Sequence, residues 1–213
     1  NNETTILNVI EGCINKTNLP ILIMDDGSKY PVKKIIEDSD NTKVKNLLDK
    51  RIFIHRNKLN NGKGTALQEA FNICVSKNYT HLISIDGDGQ HHPDDINFFI
   101  KEIKKSPWSL IIGKRKFSGE NVPTSSKFGR KFSNFWVKYQ TGCTTEDSQS
   151  GFRSYPLFFV QNMKFFTKRY DFEIEVLIRL IWKKVSIKEN TIDVYYPPED
   201  ERISHFDKLW DNV

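Results

Sequence analysis

The sequence contains little cysteine, and its few cysteines argue against two common stabilising devices. Cys13, Cys74 and Cys143 are the only ones in 213 residues, an odd number without Cys-x-x-Cys spacing. Disulfide frameworks and zinc sites need paired or closely spaced cysteines, so we expect reduced thiols in a cytoplasmic setting. The five histidines also lack metal-ligand spacing, apart from the adjacent pair His91-His92.

Long apolar runs are missing as well. No run approaches the ~18–20 residues of a membrane-spanning helix, and the first residues lack the basic-then-apolar layout of a signal peptide. The net charge of +5 favours an anionic partner, such as a nucleotide diphosphate, a lipid phosphate or a membrane surface. The charge is too dispersed to indicate nucleic-acid binding. Because no repeat, low-complexity segment or linker is visible, we expect residues 1–213 to form a single domain.

Short apolar runs alternate with stretches of helical spacing. This alternation predicts βαβ units, hence an α/β fold with a mostly parallel sheet flanked by helices and ligands at the carboxyl ends of the strands. The predicted strands cover residues 20–24, 52–54, 82–85, 109–112 and 191–196, and the predicted helices cover residues 32–48, 65–76, 94–104, 123–139 and 170–185.

The most distinctive polar segment directly follows the predicted strand at residues 82–85. Side chains alternate along extended backbone, so Asp86 and Asp88 project to the same side, and the amide of Gln90 follows two residues later. Oxygen ligands of this kind suit a hard divalent cation shared with substrate phosphates. The alternative is a polar turn after a buried strand, and so short a motif does not decide between the two.

Other predicted strands also end in polar loops, which indicates one shared site at this edge of the sheet. Lys63 lies in a Gly-Lys-Gly loop that leads into a helix, where backbone N–H groups and the helix dipole favour anions. Arg115 follows a strand and Gly113, from where a guanidinium can bind phosphate with two hydrogen bonds. Both cations have the alternative of a solvated surface position.

Six motifs, taken together and in this order, resemble those of the inverting family 2 glycosyltransferases with the GT-A fold. The resemblance covers almost the whole chain and is greatest for the branch of polyprenyl-phosphate and dolichol-phosphate sugar synthases. The motifs are Asp25-Asp26-Gly27-Ser28, Asn61-Gly62-Lys63-Gly64, Asp86-Gly87-Asp88-Gly89-Gln90-His91, Gly113-Lys114-Arg115, the segment 147–153 (DSQSGFR), and Phe172-Glu173-Ile174-Glu175.

The resemblance implies a role for each matching position. Glu173 and Glu175 are possible acceptor-site residues, although acidic residues in the first turn of a helix are stabilised by its dipole anyway, above all Glu173. The positions implied are Asp86, Asp88 and Gln90 for a divalent cation (Mg²⁺ or Mn²⁺), Glu3, Asp26, Lys63, Arg115 and Arg202 for the nucleotide and its diphosphate, and Asp147 with the adjacent Glu146 for the catalytic base or an acceptor-positioning carboxylate.

The implied activity is metal-dependent transfer of a sugar from a nucleotide-sugar donor, with inversion at the anomeric carbon. The acceptor is expected to be a polyprenyl phosphate, another membrane lipid or a saccharide, and the protein is expected in the cytoplasm, at the inner face of the membrane if the acceptor is a lipid. Two alternatives are a sugar-phosphate nucleotidyltransferase and a sugar-nucleotide-binding domain without catalysis. The chain begins where the family's first strand would end, so we expect that strand to be lacking and the sequence to be a piece at both ends.

An aromatic stripe lies within the predicted helix at residues 123–139. Phe128, Phe132, Phe135 and Trp136 recur at helical spacing, and Lys127, Arg130 and Lys131 accompany them. Such a pattern is typical of an interfacial amphipathic helix, which predicts peripheral membrane contact. The alternative is core packing with a solvated basic side.

Overall fold

Strands and helices alternate along the chain, as the sequence pattern predicts. The fold is known from a computed structural model, which describes residues 3–116, 124–169 and 171–196, without the side chains of residues 3, 4 and 124–126. The strands are β1 (Ile21–Asp25), β2 (Ile52–Arg56), β3 (His81–Ser84), β4 (Leu110–Arg115), β5 (Arg153–Pro156) and β6 (Ile187–Ile192). The helices are α1 (Glu3–Lys16), α2 (Val32–Asp38), α3 (Thr42–Leu47), α4 (Lys63–Ser76), α5 (Ile96–Lys105, after a 3₁₀ turn at Pro93–Asp95), α6 (Thr124–Thr141), α7 (Leu157–Val160) and α8 (Phe172–Trp182).

The strands form two sheets. β1 and β2 pair in parallel, and the other four strands form a sheet in the order β3–β5–β4–β6. β4 and β6 are parallel, whereas β5 runs antiparallel to both β3 and β4, so three of these four strands share one direction. The predicted α/β fold with a mostly parallel sheet is confirmed, with β5 as the exception. Among the described residues no strand precedes α1, and β1 and β3 each pair with one strand only.

Several sequence-based elements were wrong, and the helices α1 and α7 were not predicted. The single helix predicted at residues 32–48 is two helices, because the chain turns extended at Ser39 and the Asn41 side chain caps α3 by accepting from Val44 N at 3.1 Å. β6 begins four residues before the strand predicted at residues 191–196, since its polar sequence pairs along β4. β5 was not predicted, because the sequence of Arg153–Pro156 reads as a continuation of the polar loop before it.

The larger sheet has an apolar cluster on each face. β4 supplies both, because its successive side chains point to opposite sides. Leu110 and Ile112 belong to a cluster with residues of α4 and α8, whereas Ile111 lies with residues of α1 and α5. The two layers of helices hold the carboxyl end of β4 in place, with Arg115 as its last residue. No helix in the described part of the chain is long and apolar enough to cross a membrane.

The turn after β1 depends on one buried carboxylate. Asp25 is 2% exposed, and it accepts hydrogen bonds from Ser28 N at 3.0 Å and Val32 N at 3.1 Å as well as from the Arg56 guanidinium. Burial alone favours the neutral acid, but these hydrogen bonds outweigh it and lower the pKa of Asp25 below its ordinary value. Asp25 therefore stabilises the fold as an anion.

We predict that Asp25→Asn lowers the free energy of unfolding by about 2–4 kcal/mol at neutral pH, because Arg56 and a backbone N–H lose a charged acceptor. The folded-state pKa of Asp25 lies below its unfolded value of about 3.9, so this stabilisation is complete well above about pH 4 and is lost as the pH falls through the folded-state value. The free energies of unfolding of wild type and variant, measured with urea, should therefore converge in acid. Asp94→Asn, at an exposed ion pair with Lys16, is the control and should cost less than about 1 kcal/mol. An equal loss in the two variants would contradict the assignment.

Candidate active site

The polar loops after the strands meet at one edge of the larger sheet. The chain leaves β3 at Ser84 and enters the Asp86–Asp88 loop, and β5 enters the sheet from the segment 146–152 at the same edge because it runs the other way. The chain after β6 also reaches this loop, since Tyr195 N donates to Gln90 O at 2.9 Å. The sequence-based expectation of convergence at the strand ends is thus met by these segments.

Lys63 lies at the centre of this edge, between two carboxylates. Its Nζ is 2.7 Å from Asp86 Oδ1, 3.0 Å from Asp86 Oδ2 and 2.9 Å from Glu173 Oε1. Burial disfavours the charged ammonium, but Asp86 and Glu173 outweigh this effect and raise the pKa of Lys63. Burial likewise opposes ionisation of Asp86, and Lys63 reverses the balance and lowers the pKa of Asp86. Lys63 and Asp86 are therefore charged at neutral pH, and the three groups join the start of α4, the loop after β3 and the first turn of α8.

A glycine makes room for this cluster. A Cβ atom on Gly151 would lie 2.6 Å from both Asp86 Oδ2 and Lys63 Nζ and 3.0 Å from Glu173 Oε1. Such distances are shorter than van der Waals contact. The backbone at position 151 can approach the charged groups only because it carries no side chain.

Asp88 differs from Asp86 in its electrostatic environment. Its Oδ1 accepts from Gln90 N at 2.9 Å. Burial raises the pKa of Asp88, and the charge of Asp86 raises it further. The nearby His91 is buried, and burial lowers its pKa to about 4, so it is neutral at pH 7. Two neighbouring carboxylates that repel one another form a site that a further cation would stabilise.

The carboxylates of this loop suit a cation whose remaining ligands come from its substrate. In the described part of the chain no group of three or more His, Cys, Asp or Glu side chains could hold a metal ion. Asp86 and Asp88 can thus supply only part of a coordination shell, as is usual for Mg²⁺ bound together with substrate phosphates. Both oxygens of Asp86 contact Lys63, so a cation at Asp86 requires the ammonium to share this carboxylate or to move aside.

Arg115 and Asp147 form a second ion pair in the same site. Arg115 donates from Nε to Asp147 Oδ2 at 2.8 Å and from Nη2 to Oδ1 at 2.9 Å, and its backbone N donates to Oδ2 at 3.0 Å. Asp147 is fully buried, which favours the neutral acid, but Arg115 outweighs burial and lowers the pKa of Asp147. Such a carboxylate is a weak proton acceptor while the pair remains closed.

The segment around Asp147 is held by a residue that the sequence analysis did not single out. Glu189 in β6 accepts from Thr145 Oγ1 at 2.7 Å and from the backbone N of Glu146 and Asp147 at 2.9 Å and 3.2 Å. The side chain of Glu146 itself points to solvent, where it pairs with Lys114 at 2.8 Å. Glu146 is thus more accessible than Asp147 but far less constrained.

Asp26 contacts the loop that precedes Lys63. Its carboxylate accepts from the backbone N of Asn61 at 3.0 Å and of Gly62 at 2.7 Å, and from Asn57 Nδ2 at 3.0 Å. These bonds fix the start of α4 and thereby the position of Lys63. The expected contact of Asp26 with a nucleotide stays a prediction. Glu3 is the first residue of α1 but its side chain lies outside the described residues, and Arg202 lies outside them altogether.

Comparison with known proteins identifies the family. The family model described as Glycosyl transferase family 2 matches residues 1–168. The chain belongs to this family. It is a glycosyltransferase with the GT-A fold, as its motifs indicated.

Three relatives, two of them named for an activity, are similar over most of the chain. A UDP-N-acetylglucosamine–dolichyl-phosphate N-acetylglucosaminyltransferase of Methanococcus voltae is 28% identical, with 92% of this chain and 82% of the relative covered. A polyprenol monophosphomannose synthase of Mycolicibacterium smegmatis is 24% identical, with 88% and 72% covered. An uncharacterised protein of Methanocaldococcus jannaschii is 30% identical, with 96% and 88% covered.

A solved structure shows the same fold. Glucosyl-3-phosphoglycerate synthase from Mycobacterium tuberculosis, in complex with Mn²⁺, uridine diphosphate and phosphoglyceric acid, has a TM-score of 0.65 at 18% identity. The match covers 94% of this chain and 69% of that one. At this level of identity, the match supports the fold alone and not the identity of the ligands.

Two further residues of this glycosyltransferase were underestimated from the sequence. Glu173 was attributed mainly to the helix dipole, yet it is buried against Lys63, whereas Glu175 holds Thr167 and pairs with Arg179 at 2.7 Å. Arg153 is fully buried, and its guanidinium donates to the carbonyl oxygens of residues 148, 150 and 173 at 2.6–2.7 Å. The two glutamates in the first turn of α8 marked this turn as a possible part of the site, but only the fold shows that Glu173 is the one that faces it.

We predict that Gly151→Ala lowers kcat/KM for sugar transfer by about 100-fold, since the added methyl group displaces Lys63 and Asp86 from their present positions. The free energy of unfolding should fall by less than about 3 kcal/mol, because the displaced atoms are the ends of side chains. Gly129→Ala in α6 is the matched control. Its Cβ would meet Gln149 at an ordinary 3.7 Å, so this variant should keep wild-type transfer and gain about 0.5–1 kcal/mol of stability. Wild-type transfer by Gly151→Ala would show that the cluster tolerates displacement.

Proposed function

We propose that this glycosyltransferase transfers a sugar from a nucleotide-sugar donor to a polyprenyl phosphate, with a divalent cation and with inversion at the anomeric carbon. The observation that carries the proposal is the cluster of Lys63, Asp86, Asp88 and Glu173 beside the pair of Arg115 and Asp147. The two named relatives above, which act on dolichyl phosphate and polyprenol phosphate according to their names, support this choice of acceptor.

The loop after β3 would hold the cation. Asp86 and Asp88, with the amide of Gln90, would bind Mg²⁺ or Mn²⁺, which when bound neutralises the leaving diphosphate. Burial and the charge of Asp86 raise the pKa of Asp88, and a bound cation would stabilise the ionised form of this carboxylate. The Mn²⁺ and uridine diphosphate in the structural neighbour agree with this assignment.

Two cations of the chain would bind the diphosphate. Lys63 stands at the start of α4, where the helix dipole also favours an anion. Arg115 presents a planar guanidinium that can bind phosphate oxygens with two hydrogen bonds, as it now binds Asp147. Lys63 contacts the carboxylates of Asp86 and Glu173, and Arg115 that of Asp147, so an incoming diphosphate would share these cations with their carboxylates. Asp26, which fixes the loop before Lys63, would in addition contact the base or ribose.

Asp147 would orient Arg115 and the acceptor more than it accepts a proton. Its lowered pKa makes it a weak base, and a phosphate acceptor is already largely ionised near pH 7, since its second pKa is about 6. A saccharide acceptor would need a stronger base, because a hydroxyl group must lose its proton. Glu146, exposed next to Asp147, would be the alternative base in that case. The lowered pKa of Asp147 therefore supports a phosphate acceptor.

We predict that wild-type protein gains thermal stability from one nucleotide sugar only when Mn²⁺ or Mg²⁺ is present, because ligands of the native state raise its apparent stability. Asp88→Asn should abolish the metal-dependent part of this shift, since it removes one of the two carboxylates while Asn Oδ1 can still accept from Gln90 N. The assay is a thermal-shift series with UDP-, GDP- and dTDP-sugars, followed by transfer of labelled sugar to polyprenyl phosphate in detergent.

Asp94→Asn is the control for this series, since the Asp94 side chain is exposed and its carboxylate pairs with Lys16 of α1 at 2.9 Å. A shift without metal would overturn the cation assignment. Donor binding followed by transfer to a saccharide alone would overturn the acceptor, and no donor binding at all would favour a domain without catalysis. Release of diphosphate on condensation of sugar phosphate with a nucleoside triphosphate would favour a nucleotidyltransferase.

We predict that Arg115→Ala and Asp147→Asn each lower kcat/KM for transfer to polyprenyl phosphate by about 100-fold, because both disturb the group that binds diphosphate. The double variant should lose little more than either single variant, since the two residues act as a unit. The rate–pH profile of Asp147→Asn should keep its shape, because no titrating base has been removed. Loss of a limb of that profile would make Asp147 the catalytic base.

A further inference from the structure

One face of α6 carries five aromatic side chains that belong to none of the apolar clusters formed by the described residues. They recur three or four residues apart, which places them along one side of the helix. Their rings contact one another, for instance Phe128 with Phe132 and Phe135 with Trp136. This aromatic face comprises Phe128 (71% exposed), Phe132 (55%), Phe135 (59%), Trp136 (41%) and Tyr139 (74%).

The opposite side of α6 attaches the helix to the protein. Val137 and Ser133 are buried there, and Ser133 Oγ accepts from Gln149 at 2.9 Å. Asn134 Nδ2 donates to Glu146 O at 2.8 Å. The alternative that the aromatic stripe is core packing is therefore wrong, because the core contacts of α6 come from other residues.

The charge of α6 has one sign. Its 18 residues include no Asp or Glu. Lys127, Lys131 and Lys138 are exposed beside the aromatic face, whereas Arg130 is half-buried and donates to Arg115 O at 3.2 Å. The expected basic group of Lys127, Arg130 and Lys131 is thus corrected to three lysines, since Arg130 points to the site. Exposed aromatic rings with lysines alongside are what an anionic, apolar surface would complement.

We infer that the aromatic face of α6 is the surface by which this protein docks on an anionic lipid bilayer. The rings would enter the boundary between headgroups and acyl chains, and Lys127, Lys131 and Lys138 would contact the lipid phosphates. A second copy of the chain is a poorer occupant of the same face, because a self-interface would bring together lysines of like charge. The inference rests on the proposed function and deepens it, because docking on a bilayer would bring the active site to a lipid-linked acceptor.

The contacts of α6 also fix which part of the active site faces the lipid. Through Arg130 the helix holds the backbone of Arg115, and through Asn134 it holds the backbone of Glu146, next to Asp147. A bilayer bound to the outer side of α6 would therefore lie one helix diameter, about 10 Å, from this ion pair. A lipid phosphate would have to rise about this distance above the headgroup level to meet Arg115, while its hydrocarbon chain stays in the membrane.

The test is sedimentation of the whole chain with vesicles of phosphatidylcholine, alone or mixed with phosphatidylglycerol. Wild type should bind the mixed vesicles and lose binding as NaCl is raised. The double substitution Phe132→Gln/Phe135→Gln should lower the partition coefficient by about tenfold or more on the mixed vesicles, because two rings no longer enter the interface. The triple substitution of Lys127, Lys131 and Lys138 to Gln should remove the preference for phosphatidylglycerol.

Trp108→Gln/Phe158→Gln is the matched control. These two aromatic residues are as exposed as those of α6, at 61% and 63%, but Trp108 precedes β4 whereas α6 follows it, so they belong to the other end of the sheet. This variant should bind vesicles like wild type. Urea unfolding should show all variants folded, since every substituted side chain is exposed.

Three results would overturn the inference. Wild type without affinity for either vesicle, or equal binding by wild type and the α6 double variant, would show that this face does not contact lipid. A dimer in sedimentation equilibrium that the α6 double variant dissociates, without vesicle binding, would assign the face to a second copy. Vesicle binding needs no sugar transfer, and donor binding by the same variants is measured separately, so failure here is distinguishable from failure of the proposed function.

Discussion

One ammonium group holds three segments of the active site together. Lys63 Nζ contacts Asp86, after β3, and Glu173, in the first turn of α8, and Lys63 itself begins α4. Lys63 and Asp86 are partly buried and Glu173 is buried, so removal of Lys63 would leave the Glu173 carboxylate without its cation. Gly151 is part of the same constraint, since only a residue without a side chain leaves room for the three groups. The geometry of the candidate diphosphate site therefore depends on charge balance and close backbone approach, more than on apolar packing.

Charged side chains also build the loops around this cluster, by binding backbone rather than one another. The carboxylate of Asp26 binds the N–H groups before Lys63, that of Glu189 binds those of residues 146 and 147, and the guanidinium of Arg153 binds three carbonyl oxygens. Buried N–H and C=O groups must be paired, and irregular loops cannot pair their own. Each of these charges thus substitutes for secondary structure. The consequence for function is that ion pairs already hold the two candidate phosphate ligands, Lys63 and Arg115, in defined positions.

The sequence was informative where local pattern and chain order suffice. Apolar runs that end in Asp or Gly placed Asp86, Lys63 and Arg115 at one edge, because parallel strands end at the same side. It failed where a role depends on distant partners. β5 reads as polar loop, and its residues are buried only because β3 and β4 flank it on both sides. Glu173 could be told from Glu175 only by knowing that Lys63, 110 positions earlier, lies against the first turn of α8. Asp26 shows the same limit, since a loop-binding carboxylate and a nucleotide-binding one look identical in sequence.

The connection from β4 to β5 links the aromatic face of α6 to the ion pair of Arg115 and Asp147. β4 ends at Arg115, α6 follows, and the next segment carries Asp147, so the two partners of the ion pair lie at opposite ends of one helical connection. The inner side of α6 holds both ends by hydrogen bonds, and its outer side carries the aromatic face. Arg130 and Asn134 lie about one turn apart, so the same stretch of α6 contacts the backbone on both sides of the ion pair. This stretch would support Arg115 and Asp147 on its inner side while its outer side meets the lipid.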